Sequence, residues 1–395
     1  MILMVIFFHH GNKDFGANIS LSDLLFPIIL YYFISRNKII LNGAHLIYGC
    51  LLVIVGLLTS FIFIPITMNI EPNPSGIIEG YIKLSIVFLY FILGYSICKS
   101  KLIESMLKWY SIAGVIIGSI GIISLFINLG SLNKIFYFGD VRFRGIMIDP
   151  NFFAVLQVTT LAYFTRNISI KKIYRIIIIT IVVASILLSG SKTGFLTFII
   201  YFGLRLFEYI IVTKKSFKKI ILIILFVALL ILSLPILINI FQYMLEYIGN
   251  IMPIFNRVKV IFTDFNSAIG GEGSGRKEAI MGGIHIIKKS PILGVGVGNY
   301  YNFMEKTLGY FQDAHNTYIQ LFAEYGFVLA FIYYAYIFIN ICKSRTIKNK
   351  SKNNILILRD IIVILLIGSL ALSLDNARMY WFYLGAFFYE VKKKT

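Results

Sequence analysis

Three short polar segments interrupt a strongly apolar sequence and carry most of its candidate chemistry. Arg142 and Arg144 lie in the first segment, Arg276 in the second and His315 in the third. Arginine stays charged and can donate two parallel hydrogen bonds to a phosphate. Histidine exchanges a proton near neutral pH, so it suits a general base acting on a hydroxyl group. Together the segments predict a site that holds a diphosphate and deprotonates a hydroxyl.

Polar residues beside these candidates are expected to support them. Asp149 and Asn151 flank a proline, a pattern that favours a turn followed by a helix start. Asn316 directly follows His315. Glu324 falls about two turns inside an apolar run, where a buried charge is costly. We therefore expect Glu324 to be functional or to pair with a basic residue such as Arg378.

Each candidate also has a simpler structural explanation. An arginine at a membrane boundary commonly contacts lipid headgroups, which is the stronger explanation for Arg142 and Arg144 taken singly. A histidine at a helix start commonly caps the helix or packs at the interface, which applies equally to His315. These alternatives stay open while the segments are considered one at a time.

Several other kinds of chemistry are disfavoured by the sequence. No Asp-x-Asp pair and no His/Cys cluster occurs, so we expect neither a metal nor another cofactor. The glycines of 294–298 follow no soluble strand, unlike those of a nucleotide-binding loop. The segment Gly190 to Gly194 lacks the spacing of a serine nucleophile elbow. Three scattered cysteines are too few for a disulfide framework.

The composition requires lipid as the solvent for much of the chain. Of 395 residues, 58% are hydrophobic and 14% are charged, and the mean hydropathy is +0.84. A run of about 20 apolar residues spans a bilayer as a helix. We predict an all-α polytopic fold of about 12 transmembrane helices in a single domain, residues 1–395. The candidate spans are 1–8 (partial), 20–35, 42–64, 77–97, 109–129, 151–165, 176–190, 194–212, 220–240, 316–341, 355–373 and 377–391.

The basic residues predict the orientation of these spans. The net charge is +19, which in a soluble protein would suggest nucleic acid. Here Lys and Arg fall mainly in alternate short loops, as they do on the cytoplasmic side of membrane proteins, so no nucleic-acid partner is expected. Both termini are then cytoplasmic and the long loop 241–315 is external. Within that loop, residues 276–290 predict an amphipathic helix lying in the membrane interface, with Ser274 able to cap it.

Taken in order, the segments resemble the bacterial O-antigen ligase and O-antigen polymerase superfamily. The resemblance runs from about residue 140 to 330, and the block 274–326 is its most specific part. It rests on an Arg-x-x-Gly followed by Asp-Pro-Asn, a Ser-Gly-Arg, a Pro-x-x-Gly-x-Gly-x-Gly, and a His-Asn-x-Tyr with a later Glu-x-Gly. The residues are Arg142 to Gly145, Asp149 to Asn151, Ser274 to Arg276, Pro291 to Gly298 and His315 to Gly326.

This resemblance implies a membrane-embedded glycosyltransferase with a helical, GT-C-like fold in the bacterial inner (cytoplasmic) membrane. Such enzymes take a glycan from undecaprenyl diphosphate on the outer face and need no metal. By motif position, His315 corresponds to the residue that activates the acceptor hydroxyl. Arg142 and Arg276 correspond to the diphosphate clamp, with Arg144 as the alternative first arginine. The turn 188–194 resembles a family Ser-Arg-Gly turn in which Lys192 replaces arginine.

The leading hypothesis is a repeat-unit polymerase that transfers a growing chain onto the next lipid-linked unit. The alternative within the family is a ligase that passes finished glycan to lipid A core or to protein. Leu329 stands where ligases often carry Gly, Thr or Tyr, which disfavours the ligase. Beyond membrane lipid and the lipid-linked oligosaccharide, a chain-length regulator protein is a candidate partner. An alternative of another class, a polysaccharide or lipid transporter, would want ionisable residues near the midplane and broken helices.

Overall fold

The described part of the chain consists of helices and a short two-stranded hairpin. The structure, a computed structural model, describes residues 1–11, 19–100, 102–127, 130–139, 141–167, 169–212, 254–263, 276–309, 314–346 and 352–393, with a few positions between 239 and 250. Strands β1 (Tyr137–Phe138) and β2 (Arg142–Phe143) pair antiparallel. The predicted helical class is confirmed for these residues. The helices are α1 (Ile2–Ile6), α2 (Leu21–Ser35), α3 (Gly43–Leu58), α4 (Ile64–Met68), α5 (Pro74–Ile97), α6 (Ile103–Ile123), α7 (Asn133–Phe136), α8 (Pro150–Arg166), α9 (Lys172–Leu188), α10 (Lys192–Val212), α11 (Ile254–Thr263), α12 (Arg276–Lys289), α13 (Tyr300–Leu308), α14 (Thr317–Thr346), α15 (Lys352–Gly368) and α16 (Arg378–Lys392).

Several helices can cross a membrane. Among the described residues, five stretches are long and apolar enough by length and composition. They are Gly43–Met68, Pro74–Ser100, Ile103–Ile123, Lys192–Ile210 and Thr317–Arg345. Helices α2, α8, α9, α15 and α16 coincide with other predicted spans but have only 15 to 17 residues. The predicted span 220–240 lies outside the described residues, and the count of twelve stays a prediction.

Charged residues inside two of the predicted spans pair within their own helix. Lys83 Nζ lies 2.5 Å from Glu79 Oε1, four residues away on α5. Arg205 Nη1 lies 2.6 Å from Glu208 Oε2, three residues away on α10. Neighbours at this spacing face each other on a helix, so each pair partly neutralises itself in the lipid. The presence of these four charged residues inside apolar spans is therefore explained by their ion pairs.

The chain divides into two compact units. The first comprises Met1–Ala113, Thr159–Arg175 and Gly273–Thr395; the second comprises Gly114–Val158 and Ile176–Glu272. The predicted site residues are divided between them: Arg142, Arg144, Asp149 and Asn151 belong to the second unit, and the others to the first. The expectation of one transmembrane domain stays a prediction.

In the first unit, helices α5 and α16 approach closely enough for their backbones to touch. A Cβ atom added at Gly94 would collide with the carbonyl group of Phe382, and one added at Gly385 would collide with Phe91 O. Small residues allow such close packing of helices in a membrane. The packing fixes α16, whose N-terminal end follows the loop that contacts the His315 segment.

In the second unit, aromatic packing holds β2 against α8. The buried ring of Phe143 meets Phe153 edge-on, with centroids 5.2 Å apart. Gly121 on α6 leaves room for that ring, since a Cβ there would lie 2.7 Å from it. Gly145 has φ +58° and a Cβ there would lie 2.7 Å from Ile117. The Arg-x-x-Gly segment is thereby fixed on the start of α8, and Arg142 lies next to Phe143.

Candidate active site

In the second unit, Arg142 is oriented by two oxygen acceptors. Its Nε donates to Ser189 O at 3.0 Å and its Nη2 to Asn151 Oδ1 at 3.0 Å. Ser191 Oγ donates to the same Asn151 oxygen at 2.9 Å. Ser189 and Ser191 are fully buried, whereas Arg142 is half-buried. A guanidinium fixed in this way keeps its direction when a ligand approaches, which favours recognition of a planar or diphosphate anion.

Arg142 thereby lies between the starts of two helices of the second unit. Asp149 Oδ1 accepts from Asn151 N at 2.8 Å and from Phe152 N at 3.1 Å, which caps α8. Ser191 Oγ accepts from Gly194 N at 3.0 Å, which caps α10. Helix N-termini carry partial positive charge, and together with Arg142 they make this region favourable for an anion. Asp149 offsets part of that charge, so its support for the site is structural, through capping α8, and not electrostatic.

Arg144 has a different environment from Arg142. Its three guanidinium nitrogens donate to backbone carbonyls: Nε to Ile135 O at 3.1 Å, Nη1 to Ile148 O at 3.2 Å and Nη2 to Lys134 O at 2.8 Å. These bonds join Lys134 and Ile135 to the segment 144–148. Because all three guanidinium nitrogens of Arg144 bond backbone carbonyls, Arg142 is the better candidate for the first arginine, and both roles stay predictions.

In the first unit, His315 occupies a strained position at the start of α14. Its φ is +49°, a left-handed conformation that is uncommon for residues other than glycine. Asn316 Oδ1 accepts from Ile319 N at 3.1 Å, which caps the helix, and its Nδ2 donates to Leu370 O at 2.9 Å. Such strain persists only where the surroundings fix it, and it is common at functional sites. His315 is half-buried.

Thr317, the first residue of α14, holds the His315 segment against the loop that follows α15. Thr317 Oγ1 donates to Leu372 O at 2.6 Å and accepts from Leu374 N at 2.8 Å. Thr317 N also donates to Ser369 O at 2.9 Å. The sequence did not indicate this loop as part of the site, because its contacts with Thr317 cross more than fifty residues. The loop 369–374 fixes the backbone from which His315 projects.

Arg276 is the first residue of α12, the predicted amphipathic helix. The helix packs against protein: its buried Ile286 belongs to a core cluster with Val295, Tyr300 and Ala323. The predicted location in the membrane interface stays a prediction. Ser274 and Gly275 of the Ser-Gly-Arg motif, directly before Arg276, lie outside the described residues.

Glu324 lies on α14 beside a small crevice between α3, α14 and the loop 290–298. Leu52, Val55, Gly56, Leu293, Val297, Tyr325 and Leu329 line this crevice together with Glu324. Its suggested partner Arg378 forms an ion pair with Asp23, with Nε 3.3 Å from Oδ2. Asp23 also accepts from Tyr90 OH at 2.8 Å. Among the described residues, no group of three or more His, Cys, Asp or Glu side chains could hold a metal ion.

The five long apolar stretches among the described residues indicate a multi-pass helical membrane protein. Residues 152–334 match the model of a family described as O-antigen ligase, which covers just under half of the chain. The match confirms the resemblance of this chain to the O-antigen ligase and polymerase superfamily. It contains Arg276, His315 and Glu324 and begins directly after Asn151. No curated protein matches the chain.

The family description indicates only a general class of activity. Its members are membrane glycosyltransferases that act on lipid-linked oligosaccharides. The roles of individual residues in this chain stay predictions. Sequence reasoning missed Ser189 as the acceptor for Arg142 Nε, although the turn 188–194 resembled a family motif.

Proposed function

We propose that the chain is a repeat-unit polymerase of the bacterial inner membrane that acts on the outer face. The acceptor hydroxyl oxygen on one lipid-linked unit attacks the anomeric carbon of the donor glycan. The bond from that carbon to the diphosphate oxygen breaks, and undecaprenyl diphosphate leaves with the bonding electrons. The hydroxyl proton passes to His315. The product is a longer glycan on the acceptor lipid.

The observation that carries this proposal is the fixed orientation of Arg142 beside the starts of α8 and α10. Negative charge grows on the diphosphate as the sugar–oxygen bond breaks, and pre-oriented donors stabilise that charge. Arg142, held by Ser189 and Asn151, supplies such a donor. Arg276 at the start of α12 is the second proposed contact with the diphosphate. Because arginine and helix termini supply the charge, we propose that no metal is required.

His315 is the proposed general base. The half-buried imidazole projects from a backbone segment that Asn316 and Thr317 hold in place, which supports a preset position for the base. A base in a fixed position accelerates proton transfer more than one that must first find its orientation.

One residue favours the polymerase over the ligase. Leu329 replaces the Gly, Thr or Tyr that ligases often carry, and its backbone carbonyl accepts from Tyr48 OH at 3.2 Å. Leu329 is buried and helps to line the crevice beside Glu324. The wider proposal includes about 12 spans in a GT-C-like arrangement, cytoplasmic termini and a chain-length regulator as partner.

Expression in a bacterial host tests the proposal. The host lacks its own polymerase but makes the matching lipid-linked repeat unit, and the glycans are separated on a gel. A ladder of repeats that collapses to single units with His315→Ala supports a polymerase with His315 in its site. Chains that form without the protein but reach lipid A core only in its presence would indicate a ligase. Activity that persists in EDTA supports metal independence, and no glycan change from well-expressed protein would favour a transporter.

A further inference from the structure

Helix α14 is interrupted inside the membrane-spanning stretch at Gly326. This residue has φ 69° and ψ 174°, which is accessible to glycine but not to residues with a side chain. Unsatisfied backbone groups in lipid are costly, so a break of this kind needs partners from elsewhere in the protein. The loop 290–298 supplies them. The bonds are Val295 N to Ala323 O at 2.9 Å, Gly296 N to Glu324 O at 2.9 Å and Phe327 N to Pro291 O at 2.8 Å.

The approach of the loop requires glycine at Gly294. Its φ is +68°, and an added Cβ would lie 2.5 Å from Glu324 O and 2.6 Å from Ala323 O. Ser290 Oγ donates to Gly294 O at 2.6 Å and so stabilises the turn internally. The two segments therefore form one rigid contact, which we call the loop–helix clasp: residues 290–298 against 323–327.

A second close contact joins the helix of Arg276 to the helix of His315. A Cβ added at Gly283 on α12 would collide with Ile319 Cγ2 on α14. Gly283 is seven residues after Arg276, about 10 Å along the helix, and Ile319 is four residues after His315. The loop–helix clasp begins directly after α12 and also includes residues 323–327 of α14. It therefore holds both helices that meet at the contact between Gly283 and Ile319.

We propose that the clasp and the contact between Gly283 and Ile319 set the separation between Arg276 and His315. Gly283, Gly294 and Gly326 are then positioning residues. They act by placing the side chains of Arg276 and His315 and do not touch substrate themselves. The inference rests on the proposed function, because it assigns both side chains to one bound donor and acceptor. A displacement of about 1 Å in such a pair can lower turnover on the order of 100-fold.

Two alanine variants at glycines with similar φ values test the clasp. Gly309 has φ +63° and no atom within 4 Å of an added Cβ, so Gly309→Ala carries the backbone strain without the collision. Release of undecaprenyl diphosphate is measured on purified full-length protein in nanodiscs. We expect Gly294→Ala to lower kcat on the order of 100-fold with KM for the donor within about twofold, and Gly309→Ala to keep wild-type kcat. Equal kcat values in the two folded variants would overturn the inference.

A rescue experiment keeps the inference testable if Gly294→Ala does not fold. Gly283→Ala should lower kcat, and adding Ile319→Ala should restore it toward the value of Ile319→Ala alone, because the second change removes the atom that collides. An unchanged kcat in Gly283→Ala, or a loss that Ile319→Ala does not reverse, would contradict the inference. If wild-type protein releases no undecaprenyl diphosphate from a matched donor and acceptor, the proposed function fails and the inference fails with it. An active wild type with unaffected variants overturns the inference alone.

Discussion

Arg142 donates from Nη2 to Asn151 Oδ1 across 3.0 Å, and Ser191 donates to the same oxygen. One amide oxygen therefore joins the hairpin, the start of α8 and the start of α10. Asn151 is the last residue of the Asp-Pro-Asn motif, and its side-chain amide accepts both of these hydrogen bonds. It fixes the direction of the guanidinium of Arg142, the residue that we propose contacts the diphosphate.

The two arginines of the first segment should respond differently to substitution by lysine. Arg142→Lys keeps the charge but loses the planar group that bonds Ser189 and Asn151, so we expect kcat to fall on the order of 100-fold with normal expression. Arg144→Lys loses bonds to three carbonyls and should mainly lower the melting temperature. Turnover per folded molecule and thermal unfolding in detergent separate the two effects. Loss of kcat in both variants at unchanged stability would argue against a structural role for Arg144.

Asparagine is the informative replacement for His315. Asparagine is among the residues that tolerate φ near +50°, so His315→Asn should keep the left-handed backbone while removing the imidazole. We expect its folded yield to match or exceed that of His315→Ala and its transfer activity to fall on the order of 100-fold or more. The measurement is glycan transfer normalised to folded protein. Substantial activity in His315→Asn would remove His315 from the role of general base.

The fold was predictable from the sequence wherever the signal was local. The apolar runs indicated α2, α5 and α10 within a few residues, because length and hydropathy determine a spanning helix. The run 316–341 gave no sign of the break at Gly326, since that break depends on a loop some thirty residues earlier. The partners of Arg142 were hidden for the same reason: Ser189 is 47 residues away. Motif order indicated the candidate residues, whereas the contacts that fix them are long-range.

The contact between α5 and α16 should tolerate no added side chain. Gly385→Ala places a methyl group against the backbone carbonyl of Phe91, which cannot move without shifting the helix. We expect a loss of about 2 kcal/mol or more in stability, seen as lower accumulation and a lower melting temperature. Gly203→Ala is the matched control, because an added Cβ there meets nothing within 4 Å. Equal stability of the two variants would mean that the helices are less tightly packed than described.

A buried ion cluster should be essential for stability rather than for catalysis. Asp360 is 3% exposed and accepts from Arg166 at 2.7 Å and 3.0 Å and from Arg359 at 2.9 Å and 3.2 Å. Asp360→Ala removes the carboxylate that these two buried guanidinium groups share, and breaking a buried pair in this way costs about 3 kcal/mol or more. We expect Asp360→Ala to accumulate poorly. Glu79→Ala is the control, because it breaks the i,i+4 pair on the surface of α5. It should change stability much less, since the Lys83 side chain is not enclosed by protein and can extend toward the headgroups. The amount of folded protein and its melting temperature measure the loss of stability. Turnover per folded molecule of Asp360→Ala should equal that of the wild type, because the cluster has no part in the proposed reaction.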